Sequence, residues 1–175
     1  MTDTFDNFLK QQDFNKIQST LTSDWMPWYY NNMVTEHNDK EHSDAHEYQF
    51  THMFYNDNEP YSDHFPLAKL VCDQIEKKLG RKITLIRIKA NFRPVTLLSK
   101  TSDKHRDCVF LADQDRLRHT TAILYVTTNN GLTILSNGDK IENVANRLLM
   151  FDANEKHRGS TATDNHKIVI NFNYY

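Results

Sequence analysis

The 175-residue chain predicts a mainly β domain, a sandwich, jelly roll or barrel beneath an N-terminal helical and aromatic cover. Three observations lead there. Up to Gly80 the longer apolar patterns repeat at helical spacing. Beyond it they break into short alternating or β-branched runs separated by turn residues. Hydrophobic content is a low 38%, but ten Phe and eight Tyr bury a large area per residue, so 175 residues suffice for a core.

Phe14, Ile17 and Leu21 share one side of a helix expected over Asp13 to Trp25, with Asp13 as N-cap. "MPWYYNN" then interrupts the pattern with aromatics. Met33 to Ala45 is polar and charged and reads as a loop, either solvated or a mobile lid. "YQFTHMFY" alternates as a strand. His64 to Leu79 forms an amphipathic helix on Leu67, Leu70, Val71, Ile75 and Leu79, capped by Ser62 or Asp63 and stopped at Gly80.

In "KITLIRIKANF" the residues Ile86, Ile88 and Ala90 share one face, opposite Arg87, Lys89 and Asn91. "RHTTAILYVTT" is a strand ending in Asn129-Asn130-Gly131, and "GLTILS" ends in Asn137-Gly138. Both Asn-Gly steps are hairpin signals. "NRLLMFD" and "HKIVINFNYY" complete the set. The organisation is one domain over residues 1–175, with a cover from 1 to 80 and a β core from 81 to 175. "WMPWYY" and "YQFTHMFY" either pack on that core or line a groove, and packing is the favoured reading.

The net charge of −2 gives no electrostatic footprint for nucleic acid or a membrane surface. Cys72 and Cys108 form neither a disulfide framework nor a CxxC motif, which fits a reducing compartment. No signal peptide and no apolar run of membrane-spanning length is visible, so a cytoplasmic location is expected.

The chain has three His-x-Asp pairs: His37-Asn38-Asp39, His42-Ser43-Asp44 and His105-Arg106-Asp107. With nine His and sixteen Asp, roughly one is expected by chance, so context must separate them. The first two fall in the polar loop, where nothing rigid holds them. His105 and Asp107 lie between strands of the β core. His157 follows just past "NRLLMFD". Two His and one carboxylate on a β scaffold can form a facial triad that leaves positions open on a non-haem Fe(II). Lys167 opens the last strand, either as a solvated end or facing the same cavity, where it needs an anion.

These elements, in this order, resemble the Fe(II)/2-oxoglutarate-dependent dioxygenase superfamily, and within it the prolyl-4-hydroxylase-like branch. The matching residues are His105-x-Asp107, Arg118-His119-Thr120-Thr121 through Tyr125, Gly131-Leu132-Thr133-Ile134-Leu135, His157 and Lys167. The resemblance spans Lys82 to Tyr175. It implies a double-stranded β-helix, a jelly roll of cupin-like form, with N-terminal helices packed against it. It implies that His105, Asp107 and His157 bind Fe(II), that 2-oxoglutarate chelates the metal, and that Lys167 pairs with its far carboxylate. Tyr125, and Thr121 beside it, are then hydrogen-bond partners of that carboxylate. O2 is the co-substrate, and ascorbate a reductant in vitro.

The sequence departs from the branch at Ser102, where a Tyr is common, at Asn130 before Gly131, at Leu135, and at Val126-Thr127 after Tyr125. The substrate implied is a peptidyl or free amino-acid side chain. Two alternatives are a nucleobase, against which stands the lack of any Arg after Arg158, and a non-catalytic metal- or ligand-binding protein on the same scaffold. His119 and His166 read as bystanders, Cys108 as a buried thiol, and Arg158 as facing substrate or solvent.

Overall fold

A computed structural model describes residues 2–32, 48–108 and 119–175. The Met33–Ala45 loop, with its two His-x-Asp pairs, and Arg118 lie outside the described residues.

Helix α1, Gln11–Leu21, forms two residues earlier than expected, with Lys10 at the N-cap and Asp13 inside the first turn. Its buried side is Phe14, Ile17 and Leu21, as the spacing predicts. Helix α2, Phe65–Leu79, carries a Pro in its first turn and Lys77 and Lys78 in its last. It ends on Gly80 at φ 67°, a conformation glycine adopts without strain. Just before the helix, Ser62 Oγ accepts the His64 N–H at 3.0 Å and sits 2.8 Å from Nε2 of the buried His52. No helix among the described residues is long and apolar enough to cross a membrane.

The strands are β1 (Thr2–Phe5), β2 (Tyr29–Asn31), β3 (Gln49–Asn56), β4 (Glu59–Pro60), β5 (Leu85–Arg93), β6 (Thr120–Tyr125), β7 (Asn129–Leu135), β8 (Lys140–Asn143), β9 (Arg147–Asp152), β10 (His157–Gly159) and β11 (Lys167–Tyr174). Among the described residues they make two antiparallel sheets. The larger runs β1-β9-β6-β11-β5-β3-β2, with β4 hairpinned onto β3, and the smaller runs β10-β7-β8. This mainly β double sheet is the jelly-roll architecture expected, with both helices packed against it. The first 80 residues also contribute strands: β3 pairs with β5, and β1 pairs with β9.

Period two divides the larger sheet cleanly. Ile168, Ile170, Phe172 and Tyr174 of β11, with Ala122 and Leu124 of β6, face the helices and join Phe14, Ile17, Val71 and Ile75 in the main core. Ile123 and Tyr125 of β6, with Leu149 and Phe151 of β9 and Val169 of β11, face the smaller sheet and pack on Leu135. Strand β11 is buried along its whole length. Trp28 packs on Phe92, ring centroids 5.6 Å apart, while Trp25, Tyr29 and Tyr30 are exposed.

One hairpin expectation holds and the other gives way. Asn137-Gly138 turns between β7 and β8, with Gly138 at φ 97°. Asn129-Asn130-Gly131 is no hairpin turn: it begins β7, and β6 and β7 lie in different sheets. The physical reason is a buried polar clamp. Asn129 Oδ1 accepts the Gly131 N–H at 3.0 Å and Asn143 Nδ2 at 2.7 Å, and a Cβ at Gly131 would meet Asn129 Oδ1 at 2.8 Å. The glycine serves close approach at an irregular strand start.

A second Asn fixes the N-terminal segment. Asn146, at φ 63° and buried, accepts the Leu9 N–H on Oδ1 and donates Nδ2 to the Leu9 carbonyl, both at 2.9 Å. Asn146→Ala should destabilise the protein by about 2–4 kcal/mol, from two lost buried hydrogen bonds and a left-handed backbone an alanine resists. Asn146→Gly should recover about 1 kcal/mol of that loss, because only the strain is relieved. Urea unfolding of the three proteins measures both.

Candidate metal centre

The segment from Thr101 to Asp107 runs beside β10 and extends the smaller sheet. His105 and His157 form an antiparallel bridge in which each N–H donates to the other's carbonyl at 2.9 Å. A second bridge joins Thr101 and Ser160. The ladder sets the two imidazoles side by side, ring centroids 4.5 Å apart. Asp107, two residues on from His105, completes the group: one donor atom from each of His105, Asp107 and His157 lies within 4.8 Å of the other two. The donor set, two imidazoles and a carboxylate, suits a divalent first-row metal. Nδ1 of His105 is tied to the Asp103 carbonyl at 3.2 Å, leaving Nε2 as the lone-pair nitrogen. Phe151 packs against the His157 ring, centroids 5.0 Å apart.

Asp107 is 7% exposed. Burial opposes its ionisation, but the charges of His157, Arg87 and His105 outweigh that and hold the carboxyl far below the usual carboxylate range. Arg87 Nη2 lies 3.7 Å from Oδ1, and Asn173 Nδ2 donates to Oδ2 at 3.3 Å. Asn173 also donates to Thr121 Oγ1 at 3.1 Å. His157 is pulled down to about 4 by burial, with Asp107 working the other way. At neutral pH it is therefore neutral, the state in which imidazole binds a metal.

The cavity beside the triad is floored by alternate residues of two central strands: Arg87, Lys89, Asn91 and Arg93 of β5, and Lys167, Val169 and Asn171 of β11. Lys167 and Arg93 are ladder partners at one end. Lys167 is buried and donates Nζ to the carbonyls of Leu132 and Ser160, both at 3.2 Å. A Cβ at Gly159 would come 3.3 Å from that Nζ, so the glycine gives the ammonium room. Tyr125 is fully buried and donates its hydroxyl to Thr133 Oγ1 at 2.8 Å; Thr133 lines the cavity, and Tyr125 meets it through that threonine.

The structure thus gathers His105, Asp107 and His157 at one place, and Lys167 and Thr133 along the same cavity. Thr121 sits elsewhere. It pairs with Asn173, six residues from Lys167, roughly 20 Å along the strand. Its hydroxyl therefore belongs to the Asp107 end. His119 packs on Tyr175 and His166 on Phe92; neither lines the cavity. Cys108 is buried and does line it.

Sequence reasoning missed Arg87, Arg93 and Asn171 as cavity residues, and Asn173 as a donor to Asp107. The signal was present: "IRIKANFR" and "INFNY" each place polar residues at every second position of a strand whose other face is core. Polar alternation in a central strand marks an interior cavity as readily as it marks solvent.

No protein-family model matches the sequence, and no curated protein matches it. Solved structures do match the fold. A 2OG-Fe(II) oxygenase family oxidoreductase from Burkholderia pseudomallei aligns at TM-score 0.69 and 9% identity, over 99% of this chain and 84% of that one. A prolyl hydroxylase from Trichoplax adhaerens, in complex with a hypoxia inducible factor peptide fragment, aligns at TM-score 0.69 and 15% identity, over 99% and 83%. A viral collagen prolyl hydroxylase from Paramecium Bursaria Chlorella virus-1 aligns at TM-score 0.64 and 14% identity, over 99% and 94%.

Asn173→Ala should lower affinity for Co(II) or Mn(II) by about 10–100-fold, because it releases one carboxylate oxygen and Thr121 together. Calorimetric titration of the metal-free protein reads this, and an unchanged circular dichroism spectrum separates it from misfolding. At these identities the likeness establishes architecture: the chain folds as the Fe(II)/2-oxoglutarate oxygenases and prolyl hydroxylases do.

Proposed function

We propose that the protein is an Fe(II)- and 2-oxoglutarate-dependent oxygenase that hydroxylates a peptidyl or free amino-acid side chain. The observation that carries this reading is the pairing of a two-His, one-carboxylate triad with a buried lysine along a single cavity. The prolyl hydroxylases among the structural neighbours support the substrate class.

In this reading His105, Asp107 and His157 would hold Fe(II), a two-His, one-carboxylate set suited to a metal that also takes co-substrates. Bound Fe(II) would supply the chelation of the 2-oxoglutarate keto acid and the use of O2, which turn 2-oxoglutarate into succinate and carbon dioxide and a substrate C–H into C–OH. The chain's own work is placement and electrostatics. Arg87 and Asn173 keep Asp107 ionised and aimed. The paired backbone bonds between His105 and His157 fix the angle between the rings. Lys167 meets the far carboxylate of 2-oxoglutarate, exchanging its two carbonyl acceptors for an anion, with Tyr125 contributing through Thr133. Thr121 serves the metal end by holding Asn173. Ile123 and Val169 give the cavity a dry wall.

Succinate formation from 2-oxoglutarate, with Fe(II), ascorbate and O2, tests the reading. His157→Ala should abolish it. Lys167→Ala should restore turnover only at 2-oxoglutarate concentrations raised by about 10–100-fold, the weight of one charge-assisted contact. Loss of both turnover and anaerobic 2-oxoglutarate binding in the wild-type protein overturns the proposal.

The same lysine predicts a pH dependence. Burial first, then the nearby Arg93 charge, pull the Lys167 ammonium down to about 7. A dicarboxylate binds the charged form. Below pH 7 the charge is already present and affinity is flat. Above it binding must take up a proton, so affinity falls by up to about tenfold per pH unit. Anaerobic titrations at pH 6 to 9 should show that slope, and Lys167→Arg should remove it.

A further inference from the structure

The cavity floor carries two carboxamides to which the oxygenase reading gives no task. Asn91 of β5 and Asn171 of β11 both line it. Asn171 is 8% exposed, and Asn91 is half-buried. Oδ1 of each is enclosed, and neither accepts a hydrogen bond from any of the described residues. An enclosed acceptor without a donor costs stability, and in a native fold it calls for a partner. Here two such acceptors share one cavity.

The register places them side by side. Asn91 is the ladder partner of Val169, and Asn171 follows two residues further along β11, paired with Lys89 on one side and Ile123 on the other. The two are therefore diagonal neighbours on one sheet face, about 7 Å apart, within reach of a single group. Asn171 also stands two residues before Asn173, the donor to Asp107, so it lies about 7 Å along the floor from the triad's carboxylate contact. Lys167 sits further off, four residues back along the same strand. Val169 and Ile123, which flank the pair, are apolar and line the cavity too. Hydrogen bonds made in such surroundings are strong, and unmade ones are costly.

An amide is the group that completes a carboxamide. It offers an N–H to the oxygen and a C=O to the nitrogen, whichever way the side chain is turned. A carboxylate takes only the N–H groups and leaves both oxygens without a donor. A primary carboxamide carries two N–H groups on one nitrogen and can give one to each oxygen, where a backbone amide has one. Resting on the oxygenase reading, we propose that the substrate presents a primary carboxamide, the side-chain end of an asparagine or glutamine, to Asn91 and Asn171 beside the triad. The pair then sets specificity. A site built to meet N–H groups refuses the acid of the same shape, because binding it leaves buried acceptors unpaired.

The test uses the whole protein loaded with Mn(II) in place of Fe(II) and saturated with 2-oxoglutarate under nitrogen. Binding is read from the relaxation that Mn(II) induces in the probe's own protons. The probes are N-acetyl-L-asparagine methylamide and N-acetyl-L-glutamine methylamide for a peptidyl substrate, and L-asparagine and L-glutamine for a free one. The corresponding aspartate and glutamate compounds, and N-acetyl-L-alanine methylamide, lack the carboxamide. At least one carboxamide should bind about tenfold more tightly than its acid. Asn171→Leu and Asn91→Leu should each weaken that probe by about tenfold while 2-oxoglutarate affinity stays within about twofold. Both variants should unfold at or above the wild-type Tm, because an apolar group of similar size replaces a carboxamide with an unpaired oxygen. The proposal is overturned if no carboxamide binds, or if the acids or the alanine probe bind as well as the carboxamides. It is equally overturned if the variants weaken 2-oxoglutarate as much as Lys167→Ala does, or if both unfold at a lower Tm, which assigns the carboxamides to packing. Failure of 2-oxoglutarate to bind, with carboxamide binding preserved, instead removes the oxygenase reading and leaves an amide site.

Discussion

A carboxylate as enclosed as Asp107 stays ionised only if positive charge is buried with it, and much of the molecule is arranged to bring that charge in. Arg87 brings that charge from β5, and Asn173 of β11 donates to one of its oxygens, while the His105 and His157 rings face it from the smaller sheet. Those partners come from separate parts of the chain. Removing any one leaves a buried charge short of its compensation, which costs more than a surface ion pair ever contributes. The two sheets are thus held face to face by electrostatics at the triad as well as by the apolar packing of Leu135, Tyr125 and Phe151.

The division of labour between the sheets follows from period two. One face of β6 and β11 belongs to the helices and carries Ala122, Leu124, Ile168, Ile170, Phe172 and Tyr174 into the main core. The other face changes character along its length, from Val169 and Tyr125 to Asn171, Asn173 and Thr121. The larger sheet therefore supplies a graded floor, and the smaller sheet supplies both histidines. Neither could form the site alone, because the triad needs backbone pairing on one side and charge compensation from the other.

Much of this was legible in the sequence. The helical spacing of α1 and α2, the strand character of β5, β6, β9 and β11, and the turn at Asn137-Gly138 all follow from local chemistry. His105, Asp107 and His157 stood out through their position between strands and the order of the surrounding elements. What stayed hidden depends on distant parts of the chain. Strand β1 has four residues and no alternation to announce it; it exists because β9 offers an edge. Gly131 looks like a hairpin residue until Asn129 and Asn143 are seen to crowd it. Thr121 shares a face with Tyr125, which suggested a shared ligand, but a strand face is long, and the two hydroxyls serve opposite ends of it.

The bridge between His105 and His157 has a consequence for how a sample of this protein behaves as a population. The two rings meet because one strand segment lies against another in a single alignment. Slipping β10 by one residue turns His157 outward and brings Lys156 or Arg158 to the inner side. Such a molecule keeps its sheets and its apolar core, yet its cavity offers a metal ion one imidazole too few. Metal content per chain, more than yield or secondary structure, then reports the fraction of molecules that have found the right alignment.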